Sequence, residues 1–386
     1  MKVSDHSSCD AIRVAVIGAG VIGLGIAWRL AQRGAAVTVF DLGAAGAGAS
    51  HAAAGMLAAC AEAEPGEEAL TALGRLSQSL WPGFAAELER ASGLTVDLRR
   101  EGTLVVARTA DDLARLRHQL QFQHSLGLPL ELISAAEARR REPHLAGLAG
   151  AVFSPQDHQV DNRKLAAALR AAAAGAGAVI REHEGVESVL VVQGRAAGVR
   201  LRNGTEWPAD AVVLAAGAWS RSIAGLPAPL RPPVRPVKGQ MLALRMDPAA
   251  PLINHVIWAP NVYLVPRRDG RLIVGATVEE KGFDQSLTAG GILALLEAAW
   301  RVVPAIEELT IDEMWVGHRP GSRDDAPILG LGPVEGLVYA TGHHRNGILL
   351  APVTADAIAR LVFDREIDAA IRPFGIERFA AAVAAE

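Results

Sequence analysis

Apolar positions along the chain fall into short unbroken runs set between glycine-bearing turns, and into longer stretches where they recur every three or four residues. Ile12 to Ile17 is apolar and largely β-branched apart from Arg13, as a strand buried on both faces requires. Gly18-Ala19-Gly20-Val21-Ile22-Gly23 follows it. Leu24 to Arg33 then reads as a helix closed by Gly34, and Ala36 to Phe40 as a second strand. Between Leu70 and Glu142 the pattern is mainly helical, with the strand-like Gly102 to Arg108 and a charged, apolar-striped helix from Asp111 to Leu126. Asp161 suits the N-cap of a helix from Asn162 to Ala174 that Gly175 ends, and Val179-Ile180 resumes a strand.

Ala211 to Ser220 is another buried run, ending around Gly217. After it the texture changes. Lys238 to Arg245, Tyr263 to Pro266 and Arg271 to Thr277 are short strands, with a hairpin loop at Arg268-Asp269-Gly270. The last segment returns to strand, turn and helix: Leu337 to Thr341, then Gly342-His343-His344-Arg345-Asn346-Gly347, then a helix from Ile348 with Pro352 in its first turn. The pattern predicts an α/β chain: a discontinuous Rossmann-like dinucleotide-binding domain (1–90, 143–230 and 316–386) plus a mixed, mostly antiparallel β-sheet substrate or cap domain with helices (91–142 and 231–315).

Composition narrows the partners. The chain has 386 residues, 50% hydrophobic and 21% charged, enough for two cores, and its net charge of -4 leaves no basic footprint for nucleic acid. Cys9 and Cys60 are too few for a disulfide framework and wrongly spaced for a metal, so no metal and a cytoplasmic setting are expected. Val14 to Trp28 is uncharged and mostly apolar like a signal-peptide core, but it is too short to span a membrane and its glycines are regularly placed. No integral membrane contact is expected.

The first turn carries chemistry. In strand–glycine turn–helix order, Gly18 allows the tight turn, Gly20 lets a pyrophosphate approach the backbone, and Gly23 lets the helix pack on the sheet. Asp41 at the end of the second strand can accept hydrogen bonds from a ribose hydroxyl. This fingerprint alone leaves FAD and NAD open. The small-residue stretch Gly43 to Gly55 suits close approach to a flat or phosphorylated group, whereas Glu62 to Glu68 reads as solvated acidic surface. A second turn-to-helix junction at Gly342 to Ile348 would place another helix N-terminus at the cofactor, where it can stabilise the anionic edge of a reduced flavin; NAD has no comparable charge.

Gly18 to Gly23, Ala52-Ala53-Ala54-Gly55-Met56-Leu57, Val237-Lys238-Gly239-Gln240, Tyr263-Leu264-Val265-Pro266-Arg267, Gly270 to Thr277, Trp315 to Pro320 and Ala340 to Pro352 together resemble the glycine oxidases of bacterial thiamine biosynthesis, within the D-amino-acid oxidase group. The likeness runs in order along nearly the whole chain. It implies FAD held non-covalently by Gly18, Gly20, Val21, Ile22, Gly23, Asp41, Ser50, Ala53, Gly55, Met56, Val186, Gly217, Gly342, His344, Arg345, Asn346, Gly347, Ile348 and Leu349. It also implies that Arg319 grips a substrate carboxylate, that the Tyr263 hydroxyl reaches the same group, and that Arg345 lines the flavin and substrate side. The implied reaction is hydride transfer from the Cα of glycine, sarcosine or D-alanine to flavin N5, with O2 reoxidising the flavin to give H2O2. The imine product then hydrolyses to glyoxylate or passes to thiazole assembly. A homo-oligomer is expected.

The chemistry supports these residue types on its own terms. A guanidinium offers two donors in a fork matched to a carboxylate, and hydrogen bonds to charged groups contribute about 1.5 to 3 kcal/mol each. Departures from the family pattern are His318 before Arg319, His344 in place of an aromatic residue, and Asp325 where glycine is common, which predicts a different turn. His51 lies one residue out of register with the histidine through which some related dehydrogenases attach flavin. Val278 is placed near the pocket. A D-amino-acid dehydrogenase passing electrons to a quinone, a nicotinamide enzyme and a non-catalytic nucleotide binder remain open on the sequence.

Overall fold

The computed structural model describes residues 11–379, so Cys9 lies outside the described residues. A six-stranded sheet runs in the order Ile328–Leu331, Leu337–Thr341, Ala211–Leu214, Arg13–Ile17, Ala36–Phe40, Val179–Arg181. Its pairings are parallel except the outermost, between Ile328–Leu331 and Leu337–Thr341. Alternation sends Val14, Val16, Val37 and Val39 to a core shared with the helices Val21–Gln32, Glu68–Ser92, Asn162–Gly175 and Ala351–Asp364. Ala15, Ile17, Phe40, Val212 and Leu214 point the other way, onto a three-stranded antiparallel sheet of Val186–Val192, Arg195–Leu201 and Glu206–Pro208. The uninterrupted apolar runs read from the sequence are therefore strands covered on both faces.

The second sheet has eight strands, ordered Thr310–Gly321, Arg235–Arg245, Arg271–Gly275, Val262–Pro266, Val256–Ala259, Thr103–Ala107, Gly150–Ser154, Glu131–Ile133. All neighbours are antiparallel except Val256–Ala259 beside Thr103–Ala107. Leu242, Leu244, Leu264, Leu272 and Val274 face the helix Ala289–Trp300. Met241, Ala243, Val265 and Ile273 face Ala52 and Ala54, so the opposite side of the sheet meets the loop expected at the cofactor. Arg267, just after the strand Val262–Pro266, ties the larger sheet to the cofactor-side loop and to the start of the helix Asn162–Gly175. Its buried guanidinium donates to the carbonyls of Ala54 (2.7 Å) and Val160 (2.8 Å) and to the side chains of Asn162 (3.0 Å) and Gln159 (3.1 Å).

Three sequence expectations are displaced. Segment 143–230, grouped with the nucleotide layer, gives Gly150–Ser154 to the larger sheet, and Thr310–Gly321 runs across the boundary set at 316. Local pattern does not register which distant strands pair. The last helix begins at Ala351 rather than Ile348, because Ala351 N–H bonds back only three residues, to the Ile348 carbonyl (3.2 Å), and Pro352 has no N–H to continue an earlier ladder. Asp325 takes φ +55°, the left-handed conformation a glycine would serve, so no different turn is needed.

Candidate active site

A cavity of about 1050 Å3 lies between the two sheets, bounded on one side by the glycine turn and on the other by the antiparallel strands. Gly18 has φ +106°, and a Cβ there would stand 2.4 Å from the Ala215 carbonyl oxygen. At Gly23 a Cβ would stand 1.9 Å from the Gly18 carbonyl oxygen, so the helix Val21–Gln32 meets the turn only through glycine. Asp41 braces this corner. Its carboxylate accepts from Ala19 N–H (2.7 Å) and Gly43 N–H (2.8 Å) while lining the cavity. Ser50 Oγ accepts from Val21 N–H (3.0 Å), which fixes the small-residue loop against the helix N-terminus.

Gly18, Gly20, Val21, Ile22, Asp41, Ser50, Ala53, Gly55, Met56, Val186, Gly217, His344, Arg345, Asn346, Gly347 and Ile348 all line this one cavity. Gly23, Gly342 and Leu349 do not. Leu349 was expected at the cofactor, but it turns its side chain into the core and its carbonyl accepts from Ser77 Oγ (2.6 Å) and Trp81 Nε1 (2.9 Å). It anchors the turn to the helix Glu68–Ser92 from behind. His51 does not line the cavity either.

The opposite wall holds Arg319 and Tyr263, and glycines make their space. Gly239 and Gly317 face each other across neighbouring strands, and Gly275 pairs with Tyr263. The Arg319 guanidinium lies over Gly239, where a Cβ would stand 2.6 Å from Nη1 and 2.9 Å from Nη2. A Cβ on Gly275 would stand 2.6 Å from the Tyr263 hydroxyl, and one on Gly317 only 2.4 Å from Ala52 Cβ. Arg319 donates to the Thr277 carbonyl (3.2 Å). Burial pushes the Tyr263 phenol up and the Arg319 charge pulls it down; the net shift is upward, so the hydroxyl stays a proton donor.

Arg345 completes the set, and its partner is a residue that the sequence reading placed elsewhere. Glu62, read as solvated surface, is a cavity-wall residue only 14% exposed, with Oε2 2.8 Å from Arg345 Nε. An acidic run followed by a helix carries no sign of such burial, which depends on a loop far along the chain. Burial pushes the Glu62 carboxyl up to about 7 against the pull of Arg345. His343 and His344 are neutral. Burial takes His343 down to about 3, and burial together with the charges of Arg319, Arg345 and Arg235 takes His344 down to about 4 despite Asp325. His318 Nε2 contacts the Asp284 carbonyl (3.0 Å), a satisfied packing role. Trp219, Trp258, Gly239, Gly275 and Gly317 are wall residues not singled out as site residues from sequence, and Val278 lines the cavity as expected.

Residues 13–361 match the family described as FAD dependent oxidoreductase. The chain belongs to that family. It is 38% identical to glycine oxidase of Geobacillus kaustophilus, over 97% of this chain and 98% of the relative. A solved structure of glycine oxidase from that organism superposes with a TM-score of 0.88, covering 95% of this chain and 99% of the other. A bifunctional ThiO/ThiG protein of Trichormus variabilis is 39% identical over 95% of this chain, which spans 55% of that longer protein. The structure of iminodiacetate oxidase from Chelativorans sp. BNC1 has a TM-score of 0.85 at 30% identity, covering 94% of this chain and 98% of the other.

The residues present fit the FAD of this family. The cavity is at the upper end of the roughly 300–1,000 Å3 of small-molecule sites, and at Gly18 and Gly55 a Cβ would drive into the backbone that shapes it, 2.0 Å from the Val160 carbonyl oxygen in the second case. Gly20 leaves the first helix without a side-chain cap of its own, so its positive end faces the cavity. No helix among the described residues is long and apolar enough to cross a membrane.

Proposed function

We propose that the protein is an FAD-dependent oxidase of glycine and other small amines such as sarcosine and D-alanine, releasing H2O2 and an imine or glyoxylate. The observation that carries this reading is the convergence of Arg319, Tyr263 and Arg345 on one cavity with the glycine turn and Asp41. The similarity to glycine oxidase over nearly the full length supports it, and the ThiO/ThiG relatives support a supply of product to thiamine thiazole synthesis.

In this reading FAD, when bound, supplies the acceptor for the substrate's hydride. The chain's own residues position the substrate. Arg319 presents its fork to the substrate carboxylate, and Tyr263, protonated at working pH, donates a hydrogen bond to the same group. Trp258 and Met241, with Ala52 to Ala54, supply the apolar surface that excludes water around the Cα. His343 and His344 are uncharged and carry no proton to or from the site near neutral pH. Asp41 and the turn at Asn346 to Ile348 line the same cavity, which supports roles for the first at the cofactor ribose and for the second on the flavin side.

The test is an anaerobic titration of the purified yellow protein with glycine, sarcosine and D-alanine, followed by admission of air. Bleaching by glycine and rapid return of colour with H2O2 is the expected result. Bleaching without rapid reoxidation would assign electron transfer to another acceptor, and a flavin left oxidised by every small amine would overturn the proposal.

A further inference from the structure

Three arginines line the cavity: Arg202 lies beside Gly185, near the end of the cavity that Asp41 lines, whereas Arg319 and Arg345 stand at the other end, and the charges of these two are not equivalent. Arg345 is met by two carboxylates, Glu62 at 2.8 Å and Glu67 at 3.8 Å. Arg319 bonds a carbonyl, and among the described residues no carboxylate lies within ion-pair distance of it. One positive charge is free for a ligand and the other is already neutralised.

Glu62 is held where it is with unusual thoroughness. The buried Asp157 carboxylate accepts from the N–H groups of Cys60 (3.0 Å) and Ala61 (2.7 Å), from Ser154 Oγ (2.7 Å) and from Gln78 Nε2 (2.9 Å). From the other side, Gln123 Nε2 donates to the carbonyls of Cys60 (3.2 Å) and Ala61 (3.3 Å). With the two residues before it fixed, and the Ala63 carbonyl after it accepting from the same Gln123 amide (3.5 Å), Glu62 is held as a cavity-wall residue. Its Oε2, though close to Arg345, has no donor aligned on it, so the contact is one of charge more than of hydrogen bonding.

We propose that Glu62 is a specificity-determining residue that makes the pocket a single-carboxylate site, by discharging Arg345 and opposing any second anionic group on the substrate. This rests on the amino-acid oxidase reading above. A monocarboxylate such as glycine uses the one free guanidinium. A dicarboxylate would bring its second group to a wall where Glu62 offers repulsion and Arg345 is already committed to Glu62 and, from outside the cavity lining, to Glu67.

The experiment is run at about pH 8.5, above the value of about 7 to which burial pushes the Glu62 carboxyl, so that the group is ionised; it compares wild type with Glu62→Gln, which keeps the volume and removes the charge. kcat/KM is measured for glycine and for iminodiacetate, and Kd values for acetate and malonate are read from perturbation of the flavin absorbance. The expected result is a rise of at least tenfold in the iminodiacetate-to-glycine ratio, with a matching shift of the Kd ratio toward malonate. Glu67→Gln, at the longer distance, is expected to move both ratios in the same direction by less, and it carries the test if Glu62→Gln does not fold. Ratios within threefold of wild type in the soluble variants would overturn the proposal. A wild type that binds acetate yet is not reduced by glycine would instead overturn the oxidase reading, while the malonate-to-acetate ratio would still judge Glu62.

Discussion

Gly239→Ala isolates what the pocket wall does for Arg319. Gly239 lies in the middle of the strand Arg235–Arg245 with no left-handed backbone angle, so alanine is compatible with its conformation. The new Cβ, however, would stand 2.6 Å from Nη1, 2.9 Å from Nη2 and 3.0 Å from Cζ of Arg319. The guanidinium must retreat by roughly 1 Å to reach ordinary contact distance, breaking its 3.2 Å bond to the Thr277 carbonyl. Because the obstacle is the tip of a flexible side chain, the folding cost is at the low end for overpacking, about 1 kcal/mol. A displaced fork loses one of its two hydrogen bonds to the substrate carboxylate, about 1.5 to 3 kcal/mol. That converts to roughly a tenfold to 150-fold fall in kcat/KM for glycine. Steady-state kinetics alongside thermal melts measure both sides, with Arg319→Lys as the comparison that removes the fork while keeping the charge. A Gly239→Ala enzyme with kcat/KM within threefold of wild type and an unchanged Tm would refute the placement of Arg319 at the substrate.

Arg267→Met removes four hydrogen bonds that tie the larger sheet to the segments around Ala54 and 159–162 and leaves buried acceptors on Ala54 and Val160, so a loss of about 3 to 5 kcal/mol is expected, read as a lower denaturant midpoint; a midpoint equal to wild type would show that the link is dispensable. Burial pushes the Asp161 carboxyl up, but the charges of Arg267 and Arg271 and the N–H groups of Lys164 and Arg163 outweigh it and leave the carboxyl below its usual range. A depressed carboxyl stabilises the fold above its unfolded value and loses that contribution as pH falls through the folded one. The stability gap between wild type and Asp161→Asn is therefore expected to be widest above about pH 5 and to narrow below about pH 4 in urea melts. The flavin is expected to be non-covalent, in keeping with His51 standing off the cavity and with the Cys60 thiol being buried and pushed up to about 12; acid precipitation is expected to leave the yellow colour in the supernatant, and a yellow pellet would contradict it.

The nucleotide half was legible because its signals are local. A run such as Ala36–Phe40, a glycine turn and an acid at the strand end each declare themselves within a few residues. The larger sheet was less so. Nothing near Thr103–Ala107 or Gly150–Ser154 announces that these strands extend a sheet whose other members begin at Arg235, since pairing register is fixed by distant chain. The site divided the same way: most cofactor positions read from motifs share one cavity, whereas Leu349 sits beside cavity-lining motif residues but faces the core, and Glu62 and Glu67 in an acidic run turn toward Arg345 rather than to open solvent. Side-chain direction and the burial of a charge are tertiary facts, and periodicity does not encode them.

The glycines show how the two kinds of information meet. At Gly18 and Gly55 the backbone itself is left-handed and a Cβ would strike another main chain, so these positions are set by the course of the chain and substitution there disturbs the fold. At Gly239, Gly275 and Gly317 the backbone is ordinary strand, and what excludes a methyl group is Arg319, Tyr263 and Ala52 in turn. Each of these is half of a pair: the missing side chain on one strand makes room for a functional or loop residue from another. The wall of the pocket is therefore specified by matched absences and presences across the ladder. It follows that alanine substitutions should separate: Gly18→Ala and Gly55→Ala lower Tm most, Gly317→Ala lowers it too because Ala52 Cβ cannot swing away, and Gly239→Ala lowers kcat/KM with only a small loss of Tm.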